Sequence, residues 1–269
     1  MTDESIKLVI AGPGGRMGSA MIRELTTPGT AELVAALAQD GSGHIGQDAG
    51  RVSGQAKSSV PVIDRRSDVG FDVLIDFTTP QAVASNLDYC VARGSGIVIG
   101  TTGLGEPENQ AIADASRHIP VLYAANTSVG VNLSVALVEM ATRALGKDFD
   151  VEIVEAHHRF KVDAPSGTAL LLGDAAAGAM GSTLDQCGVF AREGHTGERN
   201  RGDIGFSTVR GGTIAGEHTV LFIGEDERIE ITHRATDRII FARGAIRAAI
   251  WLSNQEPGLY SMQDVLDLH

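Results

Sequence analysis

The stretch Ile6-Lys7-Leu8-Val9-Ile10-Ala11-Gly12-Pro13-Gly14-Gly15-Arg16-Met17-Gly18 decides the fold. Its first half is a short apolar run that reads as a buried strand. Glycines follow at once. Met21, Ile22 and Leu25 then recur at helical spacing, and Pro28-Gly29 stops the helix. Ala31 to Ala38 reads as a second strand. Strand, Gly-rich loop, helix and strand form the opening of a dinucleotide-binding fold. The glycines let backbone approach a pyrophosphate, and the helix N-terminus faces its charge. The spacing is Gly12-x-x-Gly15-x-x-Gly18, whereas the strict Gly-x-Gly-x-x-Gly pattern needs glycine where Met17 stands. The position of the loop, directly after an apolar strand, favours a cofactor over an ordinary turn.

The second strand of such a fold ends in an acid that binds the ribose hydroxyls of NAD. Here it ends Leu37-Ala38-Gln39-Asp40. Ala38 holds the expected acidic position, and Gln39 is neutral. Preference between NADH and NADPH therefore stays open.

Further along, residues 41 to 59 are rich in Gly, Ser and Gln and read as a surface loop. Strands at Asp72 to Phe77, Gly96 to Ile99 and Val121 to Tyr123 alternate with helices. One helix carries Val83, Leu87 and Val91 on one face, and another covers about Pro107 to Arg117. Alternation of this kind predicts an α/β fold with a doubly wound parallel sheet, whose ligands lie at the carboxyl ends of the strands. Gly100-Thr101-Thr102 and Ala124-Ala125-Asn126-Thr127 stand at two of those ends. They are candidate cofactor residues or plain strand-to-helix loops in equal measure.

The pattern changes after the long apolar helix Val131 to Leu145. Strands at Ile204 to Arg210, Thr213 to Phe222 and Arg228 to Arg234 follow one another without helices, and Gly211-Gly212 reads as a hairpin turn between the first two. Consecutive strands predict a second, α+β domain with a mixed sheet. A helix stripe of Ile239, Ala242, Ile246 and Ile250, together with Val265-Leu266, is expected to return to the first domain. The division is 1–128 completed by 239–269, and 129–238.

Within the second domain, after the helix Val131 to Leu145, stands Glu155-Ala156-His157-His158-Arg159-Phe160-Lys161-Val162-Asp163-Ala164-Pro165-Ser166-Gly167-Thr168-Ala169. Titratable and cationic groups lie here between a strand end and a helix start. Histidine is the usual proton donor near neutral pH. Lys161 adds a fixed cation, and Ser166, Gly167 and Thr168 offer hydroxyls and N–H groups to a carboxylate. Arg238 is positioned to clamp a second one. A small molecule carrying carboxylates suits such a site. A charged, solvated loop is the bland alternative. His195, His218 and His233 raise the question of zinc, but neither cysteine has a second ligand at a zinc-like spacing, so no metal is expected.

The composition narrows the partners. The chain has 269 residues, 43% hydrophobic but only 4% aromatic, so Ala, Val, Leu and Ile must build its cores. A net charge of −12 opposes general binding to nucleic acid. Cys90 and Cys187 make no disulfide framework. The acidic start Met1-Thr2-Asp3-Glu4-Ser5 does not read as a signal peptide. No apolar stretch is expected to span a bilayer, and a cytoplasmic address is expected.

The motif from Glu155 to Ala169 closely resembles the signature of the 4-hydroxy-tetrahydrodipicolinate (dihydrodipicolinate) reductase family. Gly12 to Gly18, Ile75-Asp76-Phe77-Thr78, Gly100-Thr101-Thr102-Gly103, Ala124 to Asn126 with Ser128 to Asn132, Arg192 to Arg199 and Asp264-Val265-Leu266 are similar to the same family, so the resemblance covers essentially the whole chain. It implies reduction of a cyclic imine dicarboxylate with NADH or NADPH in lysine and diaminopimelate synthesis. His157 would be the proton donor, and Lys161 would act as donor and substrate ligand. His158, Ser166, Gly167, Thr168 and Arg238 would hold carboxylates. Gly12, Pro13, Gly14, Gly15, Arg16, Met17, Gly100, Thr101, Thr102, Ala124, Ala125, Asn126 and Thr127 would line the cofactor site. The resemblance also implies a homotetramer assembled through the second domain. The chain departs from the family pattern at Ala38 and Gln39, at Thr127 and at Phe160. A different two-domain dehydrogenase, or a dinucleotide sensor without catalysis, would share the Gly loop but not the His157-to-Thr168 constellation.

Overall fold

The computed structural model describes residues 5–26, 29 and 31–268. The acidic start through Glu4 and the helix stop at Pro28 lie outside them. In chain order the elements are β1 (Ile6–Ala11), α1 (Arg16–Leu25), β2 (Ala31–Leu37), α2 (Ala49–Val52), β3 (Val62–Ile63), β4 (Val73–Asp76), α3 (Pro80–Val91), β5 (Gly96–Ile99), α4 (Glu106–Ala115), β6 (Pro120–Tyr123) and α5 (Val129–Leu145). There follow β7 (Asp150–His157), α6 (Gly167–Ala179), α7 (Leu184–Cys187), β8 (Gly188–Val189), β9 (Ile204–Arg210), β10 (Gly216–Ile223), β11 (Arg228–Ala235), α8 (Ile239–Leu252), β12 (Gly258–Tyr260) and α9 (Met262–Leu266). The described residues divide into two compact units: those within 5–129 and 239–267, and residues 130–238 with Leu268.

The first unit is a parallel sheet in the order β12-β6-β5-β4-β1-β2-β3. Strand alternation sends Leu8 and Ile10 to one face, where Met21, Ile22, Ala242 and Ala245 cover them. It sends Val9 and Ala11 to the other, against Val83, Leu87 and Ile112. The sheet is doubly wound, as the alternation of elements predicts. The α8 stripe differs from expectation: Ile246 and Ile250 are only partly buried, and Ala242, Gly244, Ala245, Ala248 and Ala249 form its inner face. The helix lies too close for larger side chains, since a Cβ on Gly244 would sit 1.7 Å from the Thr127 carbonyl oxygen. Residues 41 to 59 are not wholly a surface loop. They carry α2, capped by the Asp48 carboxylate, and Ala49 and Gly50 are buried.

The second unit is a mixed sheet in the order β11-β10-β7-β9-β8. Val151, Ile153, Val220 and Phe222 pack against Val135, Val138, Leu172 and Ala176 of α5 and α6. Gly211-Gly212 is not a hairpin turn. β9 runs parallel to β7, β10 runs antiparallel to its other side, and the connection crosses the end of β7. There the Gly211 N–H donates to the His157 carbonyl at 3.0 Å, and the His158 N–H donates to the Ile214 carbonyl at 2.8 Å. Contrary to expectation, Val129–Asp148 is long and apolar enough by length and composition to cross a bilayer. In the fold its Val135 and Val138 are core residues, while Leu133, Leu137 and Met140 are exposed.

Candidate functional site

The candidate site of the second unit is built on β7, the central strand. Its period of two puts Glu155 and His157 on the same buried face. Glu155 is 1% exposed and fully partnered. Arg210 donates to both of its oxygens at 2.7 Å, the Ser166 N–H donates at 3.1 Å, and the Thr208 hydroxyl donates at 3.2 Å. His157 Nδ1 lies 2.7 Å from Oε2. Burial raises the Glu155 carboxyl, but Arg210 and His157 outweigh it and hold it below the usual carboxylate range. A carboxylate so held accepts from Nδ1–H and fixes the tautomer, leaving Nε2 of His157 for chemistry. Burial lowers the His157 pKa despite the opposing pull of Glu155. Behind the ring, a Cβ on Gly216 would approach Nε2 to 3.1 Å, so glycine keeps that edge clear.

Ser166 caps α6, its hydroxyl accepting from the Ala169 N–H at 3.2 Å. The same hydroxyl lies 2.8 Å from Nε2 of His218, which stacks edge-on to His157 at 5.1 Å. Burial pushes the His218 pKa down to about 4, so this imidazole is neutral. The Ser166 side chain is thus engaged within the fold. At the open edge, Gly167 is exposed in the first turn of α6 and Thr168 is half-buried.

His158 leaves the strand and stands apart from His157. Its Nε2 is 3.0 Å from Arg238 Nη2, and the Phe160 N–H points to its Nδ1 at 3.2 Å. A guanidinium only donates, and a neutral imidazole has one lone-pair nitrogen, so only one of these contacts is a full hydrogen bond at a time. Lys161 binds both oxygens of Asp163, at 2.9 and 2.7 Å, and its ammonium holds the Asp163 carboxyl below its usual range. Sequence reasoning missed Arg210 and gave Glu155 no role of its own. The signal for Glu155 was its spacing of two from His157 on a strand. Arg210 had none, because its place opposite His157 depends on the parallel pairing of β7 and β9.

The other candidate residues lie in the first unit, at the carboxyl ends of its strands. Gly12 has φ +71°, a conformation that favours glycine. A Cβ on Gly18 would come within 2.1 Å of the Gly12 carbonyl oxygen, so Gly18 allows α1 to start against the loop. Pro13 is buried, Met17 is half-buried, and Gly14, Gly15 and Arg16 are exposed. Gly100 packs under Phe77, where a Cβ would meet the ring at 2.2 Å. The Thr101 hydroxyl is spent on buried Asp76 at 3.2 Å, while Thr102 is exposed. Ala124 and Asn126 are half-buried and Ala125 is exposed. Asn126 accepts from the Ser128 N–H at 2.9 Å ahead of α5. Thr127 is fully buried and donates its hydroxyl to the Phe241 carbonyl at 2.7 Å, so its side chain is committed to α8. A glycine with positive φ, a close-packed Gly18 and a helix start without acidic residues fit a bound pyrophosphate. Among the described residues, no group of three His, Cys, Asp or Glu gathers as a metal site.

Comparison with known proteins supplies the remaining observation. The family described as dihydrodipicolinate reductase, N-terminus, matches residues 6–127, and dihydrodipicolinate reductase, C-terminus, matches residues 130–266. The chain belongs to the dihydrodipicolinate reductase family. A curated 4-hydroxy-tetrahydrodipicolinate reductase from Pseudomonas fluorescens is 52% identical over 266 residues, covering 97% of this chain and 99% of that relative. A dipicolinate-bound dihydrodipicolinate reductase from Paenisporosarcina sp. TG-14 is 25% identical with a TM-score of 0.76, covering 97% of this chain and 98% of that one. A probable dehydrogenase from Thermotoga maritima, at 12% identity and a TM-score of 0.58 over 98% of this chain and 93% of that one, shares the fold. Membership of the dihydrodipicolinate reductase family makes the chain an oxidoreductase of lysine synthesis with a nucleotide-binding first unit.

Proposed function

We propose that the chain reduces 4-hydroxy-tetrahydrodipicolinate to tetrahydrodipicolinate, taking up one proton and one hydride and releasing water. The observation that carries this reading is the His157 imidazole, fixed at Nδ1 by a buried carboxylate and within the field of Lys161, in the same unit as the His158–Arg238 pair. NADH or NADPH, held by Gly12 to Met17 with Gly100 to Thr102 and Ala124 to Asn126, supplies the hydride when bound; Thr127, fully buried, ties that loop to α8 instead.

His157 is the proton donor in this reading. Burial makes its imidazolium a stronger acid than a solvated one, and a dianionic substrate nearby favours protonation before transfer. Lys161 serves a substrate carboxylate by exchanging it for Asp163, whose exposed side chain makes a weak, replaceable partner. His158 and Arg238 take the second carboxylate, with the first-turn N–H groups of Gly167 and Thr168. Ser166 contributes by capping α6 and steadying His218. The second unit is thus the substrate domain. Val209, Ile223 and Ile229, exposed apolar residues of its sheet, support assembly into a homotetramer there, and the activity fits a cytoplasmic enzyme.

Assay of His157→Gln and Lys161→Ala tests the reading. Both variants should bind cofactor and lose most turnover with NADH and NADPH alike. Turnover equal to that of the unaltered chain would remove it.

A further inference from the structure

At the carboxyl ends of β1, β2 and β4 the first unit encloses a cavity of about 490 Å³. Gly12 of the Gly loop, Gln39 and Asp40 after β2, and Arg65 after β3 line it. In a dinucleotide-binding fold this corner reads the adenosine ribose: a carboxylate accepts from its hydroxyls, and an arginine receives a 2′-phosphate. Ala38, at the usual position, brings no polar side chain. Asp40 and Arg65 meet there instead, with Arg65 Nη1 donating to Asp40 Oδ1 at 3.1 Å.

Arg65 is held from behind. Its Nε and Nη2 donate to Asn86 Oδ1 at 3.2 and 2.8 Å. Asn86 is 1% exposed and donates to Asp76 Oδ2 at 2.8 Å. Asp76 is fully buried and also accepts from the Thr78 N–H, the Thr78 hydroxyl and the Thr101 hydroxyl. A chain of buried partners therefore aims one edge of the guanidinium into the cavity. Arg65 supplies the one positive charge among the described lining residues. Its partner Asp40 has a side chain 57% exposed, so their ion pair is readily exchanged, whereas guanidinium and phosphate bind strongly.

We propose that Arg65 is the residue that receives the 2′-phosphate of NADPH, releasing Asp40, and that Asp40 accepts from the ribose hydroxyls of NADH. One cavity then takes both cofactors, and the discriminating cation comes from the turn after β3. The proposal rests on the nucleotide-binding reading of the first unit.

Calorimetric titration with adenosine 2′,5′-bisphosphate and with 5′-AMP tests it without turnover. Arg65→Gln should weaken the bisphosphate by at least about tenfold while 5′-AMP stays within about threefold. Asp40→Asn, at an exposed side chain, should shift the ratio of affinities the other way, towards the bisphosphate. An unchanged ratio in Arg65→Gln overturns the proposal. If that variant does not fold, an unchanged ratio in Asp40→Asn does the same. A chain that binds neither probe overturns the nucleotide reading as well; a chain that binds both with a fixed ratio overturns only the role of Arg65.

Discussion

Glu155 and His157 lie two residues apart on one face of β7, with Oε2 of the first 2.7 Å from Nδ1 of the second. Arg210 donates to both oxygens of that carboxylate from the neighbouring strand. The imidazole is therefore oriented by a group whose own charge is secured.

Glu155→Gln should lower kcat by about tenfold or more and change KM for the dicarboxylate less. The carboxylate raises the His157 pKa against the effect of burial, so its loss lowers that pKa further. The alkaline fall in kcat should then move to lower pH. A kcat–pH profile matching that of the unaltered enzyme would remove Glu155 as a positioning residue.

His218 is buried beside His157, with Ser166 at its Nε2 and His233 paired across the strands. Its pKa of about 4 in the fold lies below its ordinary value of 6.5. Between these values the unfolded chain binds the extra proton, so stability falls as pH falls from about 6.5 towards about 4, by roughly 3 kcal/mol for this group alone. Chemical denaturation at pH 7.5 and pH 4.5 should show the loss, and His218→Gln should show a smaller difference between the two.

Ser166→Ala removes the cap of α6 and the partner of His218 in one change. It should cost about 1–2 kcal/mol in denaturant unfolding. Stability matching that of the unaltered chain would mean that water or a neighbouring group replaces both contacts.

Gly18→Ala should strike the nucleotide loop. Its Cβ would press on the Gly12 carbonyl, and relief requires α1 or the loop to move. A cost of about 1–3 kcal/mol and a marked loss of affinity for either cofactor are expected, read by thermal melts and fluorescence titration.

The parallel sheet was legible because β1, β4 and β5 are short, mostly apolar runs, each followed by a glycine or threonine turn and a helix. The cluster from His157 to Thr168 was legible because its residue types crowd into one stretch. The order of the second sheet was not. The run from Ile204 to Phe222 looks like a hairpin locally, and only long-range pairing inserts β7 between its arms. Arg210 escaped notice for the same reason. The inner face of α8 was misread because close approach selects alanine and glycine, which carry little hydrophobic signal. Arg65 was hidden because a two-residue strand, β3, brings it beside Asp40.

The first unit draws on both ends of the polypeptide: β1 to β6 come early, whereas α8, β12 and α9 come from residues 239–267. On the ribosome, the face of the early sheet that α8 covers stays uncovered until that late segment emerges. By then the second unit, made of residues 130–238, has already been synthesised. A nascent chain arrested before α8 would thus present an incomplete nucleotide-binding unit, while the segment of the second unit is already whole.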